Sequence, residues 1–230
     1  MRILVLPAYI LVACSLLLAQ SPQPPSNSAS TVPSGSATAV SEPVVFTVAL
    51  GFKYSLPSDW EVVDTKPMLP VVRQQLDKDA TNVGEKKGIA CFEAPLKATH
   101  GDLGSAIVVI TLSYDCYGQK FVDSDLPSFA GGVAGGLKKN WNIIDPAYGA
   151  YTLGSHSVWI ERASGNPMAH PEAKRLLEVA CTLLKNGAVC WMAFAVNEAD
   201  LATFEHSLVT LGDEAPRALV PPATFVKKSN

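Results

Sequence analysis

The chain has 230 residues, 48% of them hydrophobic and 17% charged, with a formal net charge of −3. That length allows one domain of ordinary size plus appendages. The acidic balance argues against a nucleic-acid partner, which would ask for a basic face. No run of Lys or Arg exceeds two adjacent residues, as at Lys86-Lys87, Lys138-Lys139 and Lys227-Lys228.

Residues 1–19 read as an export signal. Arg2 supplies the positive start, Ile3 to Leu18 the apolar stretch, and Ala19 a small residue for cleavage ahead of Gln20. A competing reading takes Leu11-Val12-Ala13-Cys14 as a lipobox, in which Cys14 is lipidated and becomes the mature N-terminus. Leu16, Leu17 and Leu18 speak against it, because lipoproteins turn polar after the cysteine. An uncleaved anchor is a third reading, set back by Pro7 and by an apolar run that only just reaches the roughly 20 residues of a spanning helix. Export, to the periplasm or the medium, is common to the first two, and a membrane enters only through the lipid anchor. Residues 20–43, rich in Ser, Pro, Ala and Thr and almost free of charge, bury too little apolar surface to order themselves and read as a disordered tether.

A single domain is expected over residues 44–212. Strands are predicted at 45–56 and 60–63 around the turn Pro57-Ser58-Asp59, and a helix at 66–80, where Leu69, Val72 and Leu76 share a face. Strands follow at 88–96 and 105–115, the second β-branched throughout and so central. Residues 124–141 keep helical spacing through Leu126, Phe129, Val133 and Leu137, against four glycines that weaken a helix. The stretches 150–163 and 173–196 supply further strands, with Asn186-Gly187 the strongest hairpin signal. Asn197 caps a last helix whose buried stripe is Leu201, Phe204, Leu208 and Leu211, ended by Gly212. Residues 213–230, with Pro216, Pro221 and Pro222, read as a flexible tail. Hairpin links between consecutive strands give an α+β fold: an antiparallel β-sheet flanked by helices.

Without the leader, four cysteines remain: Cys91, Cys116, Cys181 and Cys190. An even count in an exported chain reads as disulfides, with three pairings open. Cys181 and Cys190 flank the Asn186-Gly187 turn, which places them as diagonal neighbours on one face.

Three stretches carry a family resemblance. "FKYSLPSDWEVV" resembles the opening hairpin of the Mog1/PsbP-like superfamily, "YTLGSHSVWIERA" is similar to its later strand, and "NEADLATFEHSLVTL" resembles its closing helix. The resemblance covers roughly residues 44 to 212. It implies an α/β/α sandwich, and a group made up mostly of non-enzymatic accessory or binding proteins, many of them exported bacterial ones.

Candidate chemistry is sparse. His100 and His170 fall in predicted loops, His206 on the exposed side of the last helix, and His156 faces outward from a strand; none stands at metal-ligand spacing. No G-x-S-x-G elbow, P-loop or G-x-G-x-x-G is present, and the acids Asp59, Asp64, Asp123, Asp125 and Asp145 are scattered. No catalytic, cofactor-binding or metal-binding residue is therefore assigned. Trp60, between Asp59 and Glu61, and Phe204 are assigned to the core. The expected function is an exported, non-catalytic binding or accessory domain for an unknown protein or small molecule. The alternative is an extracytoplasmic hydrolase whose residues converge only in three dimensions.

Overall fold

The computed structural model describes residues 44–47, 49–56, 59–101, 104–138, 140–221 and 224–227. The readings made on residues 1–43, and on Pro57 and Ser58 of the first turn, lie outside the described residues. Twelve strands are numbered in chain order: β1 Val44–Thr47, β2 Phe52–Leu56, β3 Glu61–Val62, β4 Phe92–His100, β5 Ser105–Ser113, β6 Trp141–Leu153, β7 His156–Pro167, β8 Arg175–Leu184, β9 Gly187–Ala195, β10 Leu208–Leu211, β11 Arg217–Ala218 and β12 Val226–Lys227. The α-helices are α1 Leu69–Asp79, α2 Val83–Cys91, α3 Tyr114–Tyr117, α4 Leu126–Leu137 and α5 Glu198–His206. The fold is α+β. An eight-stranded antiparallel sheet runs β12-β6-β7-β8-β9-β5-β4-β3, and a four-stranded one runs β1-β2-β10-β11.

The middle of the large sheet fixes the architecture. Every residue of β9 is buried. Ala188, Cys190, Met192 and Phe194 face one core, and Val189, Trp191, Ala193 and Ala195 the other. β5 alternates in the same way, with Val108 and Ile110 on the first face and Ile107 and Val109 on the second. A sheet apolar on both faces needs two covers. The first is helical: Val72 and Leu76 of α1, Ile89 of α2, Tyr114 of α3, and Phe129 and Val133 of α4. The second mixes Leu201 and Phe204 of α5 with the small sheet and Trp60. It is a helix backed by strands, so helices pack on both faces of the large sheet, in line with the α/β/α arrangement expected.

Local chemistry accounts for the departures from the sequence expectations. The strand expected at 45–56 is a hairpin, β1 and β2, because Leu50 and Gly51 both take positive φ (78° and 83°). The strand expected from residue 88 begins only at Phe92. Asn82 caps α2 by accepting from the Glu85 amide, while the buried Glu85 carboxylate accepts from the Thr81 amide and hydroxyl. The last helix stops at His206, where Ser207 turns extended; Val209 and Leu211 then alternate inward along β10, with Leu208 half exposed.

The hairpin between β8 and β9 turns one residue early. Leu184 pairs with Gly187, so Lys185 and Asn186 form the turn and Cys181 lies directly opposite Cys190, not diagonal to it. Gly187 serves here for its lack of a side chain. A Cβ would meet the Leu50 side chain and come within 2.5 Å of the Leu112 carbonyl oxygen. Two disulfides form, Cys91–Cys116 joining α2 to α3 and Cys181–Cys190 across the strands.

The end of the chain corrects the expectation of a flexible tail. β11 adds to β10, and Leu219 is fully buried in the second core. β12 then pairs Val226 with Tyr148 and Lys227 with Ala147 on the edge of the large sheet. The apolar Leu219 and Phe225 supply packing that the prolines around them conceal in the sequence.

Two substitutions test this core. Trp60 is 7% exposed and shares the second core with Phe204. Trp60→Ala should lower stability by about 3–5 kcal/mol, the range for emptying a large aromatic site. Leu219→Ala should cost about 2–5 kcal/mol. Urea unfolding reads both; a Leu219→Ala midpoint equal to wild type would return residues 213–221 to the status of a tail.

Candidate functional site

Among the described residues, two clusters gather three charged side chains each. The first lies where the β4–β5 hairpin meets the start of α5. His100 Nδ1 faces Asp200 Oδ1 at 3.1 Å, and Nε2 faces Asp59 Oδ2 at 3.3 Å. The Trp60 ring stacks on the imidazole with centroids 5.4 Å apart. Ser105 donates its hydroxyl to the other Asp200 oxygen and accepts from the Val196 amide at 3.0 Å. A nucleophilic serine needs a basic nitrogen at its hydroxyl. Here a carboxylate stands between Ser105 and His100, and Ser105 is 0% exposed. Asp200 also sits in the first turn of α5, where negative charge suits the helix dipole. The constellation fastens hairpin to helix.

The second cluster is built by strand register. Arg162 of β7 lies directly opposite Glu178 of β8. Both fall on the face of the sheet that carries Val158, Ile160 and Ala180, because side chains alternate along a strand. Arg162 Nε and Nη2 donate to Glu178 Oε2 at 3.0 and 2.8 Å, and Nη2 donates also to Glu205 of α5. The Glu178 side chain is 1% exposed, against 33% for Arg162 and 16% for Glu205. Its second oxygen, Oε1, is buried and has no hydrogen-bond partner among the described residues. Burial outweighs the attraction of Arg162 and pushes the Glu178 carboxyl up to about 7.

The carboxy-terminal segment lies beside this cluster. The Phe225 ring lies 4.7 Å from the Arg162 guanidinium carbon, a cation–π geometry. The Tyr151 hydroxyl of β6 donates to the Leu219 carbonyl at 3.2 Å. Burial, and then the charge of Glu178, raise the Tyr151 phenol above its ordinary value. Residues 219–221 and 224–227 thus form a strap along β6, with Leu219 bonded to Tyr151, Val226 and Lys227 paired to β6, and Phe225 on Arg162. A buried, perturbed carboxyl with specific charge partners marks a candidate functional site.

Of the residues singled out from sequence, His100, Asp59 and Trp60 meet in the first cluster, and the others fall elsewhere. Trp60 and Phe204 lie in one core, and the four cysteines are joined in pairs. Cys14 lies outside the described residues. His156 Nε2 is 3.7 Å from Glu214, which Ser155 holds below the usual carboxylate range by side-chain and amide hydrogen bonds. His170 pairs with Glu172 on the surface, and exposed His206 faces the Ala202 carbonyl. Arg162, Glu178 and Glu205 escaped the sequence reading although a signal existed. Glu178 interrupts the apolar run 176–184, and Glu205 stands four residues after Leu201 on the buried stripe of α5. Seeing that they meet required the register across the long 168–174 connection.

No family model and no curated protein matches the chain. Among solved structures it is similar to the solution structure of cyanobacterial PsbP (CyanoP) from Synechocystis sp. PCC 6803. The likeness has 12% identity and a TM-score of 0.43, and covers 75% of this chain and 91% of that chain. That neighbour is of the group that residues 44–212 resemble; the α+β class itself rests on the strand pairing described above.

Proposed function

We propose that this chain is an exported, non-catalytic binding domain that takes up an extended segment of a partner polypeptide along β6, where its own strap now lies. The observation that carries the reading is the partial cover of that edge. β6 spans 13 residues, yet among the described residues β12 pairs with it only at Ala147 and Tyr148. A sheet edge is a ready template for another strand unless the protein blunts it. The first half of β6 is blunted: Asp145 (φ 50°) and Pro146 fall within the register shift between Ile144 and Ala147. Among the described residues, the second half, Ala147 to Leu153, is guarded only by the strap. A two-residue pairing is weak enough to yield to a longer strand.

Two disulfides support an oxidising compartment, in keeping with the export signal read from residues 1–19. The polar groups around His100 and Ser105 engage one another, which favours binding over hydrolysis.

A labelled peptide of residues 219–230, added in trans, tests the reading by fluorescence anisotropy. It should bind full-length protein carrying Phe225→Ala and Val226→Pro at least about tenfold more tightly than it binds wild type, whose tethered strap competes at high effective concentration. Equal affinity for the two proteins, or no binding to the variant, would contradict it.

A further inference from the structure

We propose that the β6 edge carries an aromatic-selecting subsite, a side-chain seat at Gly149 that takes a Phe, Tyr or Trp of the segment pairing there. The proposal deepens the binding reading above, rests on it, and names the residue chemistry that the partner must bring.

The seat begins with a glycine that the backbone does not require. Gly149 lies within β6 and outside the left-handed region where other residues are strained. A Cβ built on it would meet the Thr224 carbonyl oxygen at 3.6 Å, Ile160 Cγ2 at 3.7 Å and Phe225 Cδ1 at 3.8 Å, all ordinary contacts. Close backbone approach therefore does not demand glycine either. A strand position favours β-branched or aromatic residues, and glycine there gives up both packing and order. What the glycine leaves open is the space beyond Cβ, where a longer side chain would contend with the ring of Phe225.

The surroundings of that space suit a ring. Gly149 lies directly opposite Ile160 of β7, which is fully buried in the second core. Two residues along β7, on the same face, Arg162 sets its guanidinium carbon 4.7 Å from the Phe225 ring centroid. Arg162 Nε and Nη2 donate to Glu178, and Nη2 donates also to Glu205. Hydrogen bonds from a guanidinium run in its plane, so the two carboxylates hold that plane and leave a face for stacking. Tyr151, the next residue of β6 on that face, packs against the same core as Phe225. An apolar neighbour and a fixed cation face are the two things an aromatic side chain answers to together.

Phe225 is the chain's own occupant and shows how a ligand residue sits. Val226 pairs with Tyr148 and Lys227 with Ala147, and continuing that antiparallel register carries Phe225 to Gly149. The next position is read far less, because Val226 is 57% exposed. A segment that takes the place of the strap must therefore bring its ring to the Gly149 position. An aliphatic residue would fill the space and leave the cation without its partner.

The acceptor for the test is the full-length protein carrying Phe225→Ala and Val226→Pro, which lacks its own ring. The probes are labelled 219–230 peptides, read by fluorescence anisotropy, with Phe225 kept or changed to Trp, cyclohexylalanine or Ala. The Phe and Trp peptides should bind about fivefold or more tightly than the cyclohexylalanine peptide, which has similar bulk and no π face, and the Ala peptide should bind weakest. Adding Gly149→Val to the acceptor should weaken the Phe peptide about tenfold or more and leave the Ala peptide unchanged, because the valine methyls enter the space of the ring. Equal affinity for the Phe and cyclohexylalanine peptides, or a Phe peptide undiminished by Gly149→Val, would overturn the subsite while strand pairing stands. Failure of every peptide to bind would remove the subsite and the binding reading together. Should the Gly149→Val acceptor fail to fold, the peptide series on the parent acceptor decides alone.

Discussion

A sheet whose central strands are apolar on both faces cannot be left with one face in water. β9 is buried along its whole length and β5 along nearly all of it, so the chain must build two covers. The helices α1 to α4 form the first. The second is assembled from what remains: α5, a small sheet made from the opening and closing parts of the domain, and the strap. Trp191, fully buried and stacked 5.4 Å from Phe52, marks where the large and small sheets meet.

The second cover closes on a charge. Around His100 the buried oxygens have neighbours: Asp200 takes Ser105 and His100, and Ser105 takes the Val196 amide. Around Glu178 the accounting is incomplete, because Oε1 has none among the described residues. Buried ion pairs contribute little net stability and are retained where they specify an arrangement or a switch. The strap lies beside this cluster, with Phe225 on Arg162 and Leu219 bonded by Tyr151. Cover, edge protection and charge thus converge on one short segment.

Much of this was legible in the sequence. The β-branched run at 105–113, the stripe Leu69, Val72 and Leu76, and the cap at Asn197 each state their structure locally, and Trp60 between two acids still reads as core. The misreadings share a cause: a local signal outweighed by tertiary packing. Asn186-Gly187 has the chemistry of a two-residue turn, but Gly187 is needed against Leu50 and Leu112, so the turn slips by one and Cys181 faces Cys190. Residues 88–91 look like strand, yet the Asn82–Glu85 cap carries α2 to Cys91. The closing stripe continues as helix on paper, while Val209 and Leu211 alternate as strand beside β2. The prolines of 213–230 read as tail because no local pattern reveals that Leu219 has a core to enter. The charged cluster was hidden for the same reason: Arg162, Glu178 and Glu205 are each ordinary alone.

The account turns on Glu178 being buried and carrying its proton well above the ordinary carboxylate range, and unfolding free energy against pH measures that directly. Burial holds the native carboxyl at about 7 against an ordinary 4.5, so between those values the native state binds more protons than the unfolded chain. Wild-type stability, taken relative to Glu178→Gln in urea at each pH, should be greatest in acid. It should fall by about 3 kcal/mol as pH rises from 4.5 to 7, then level off. A difference that stays constant across that range, or that grows in favour of wild type as pH rises, would contradict the account.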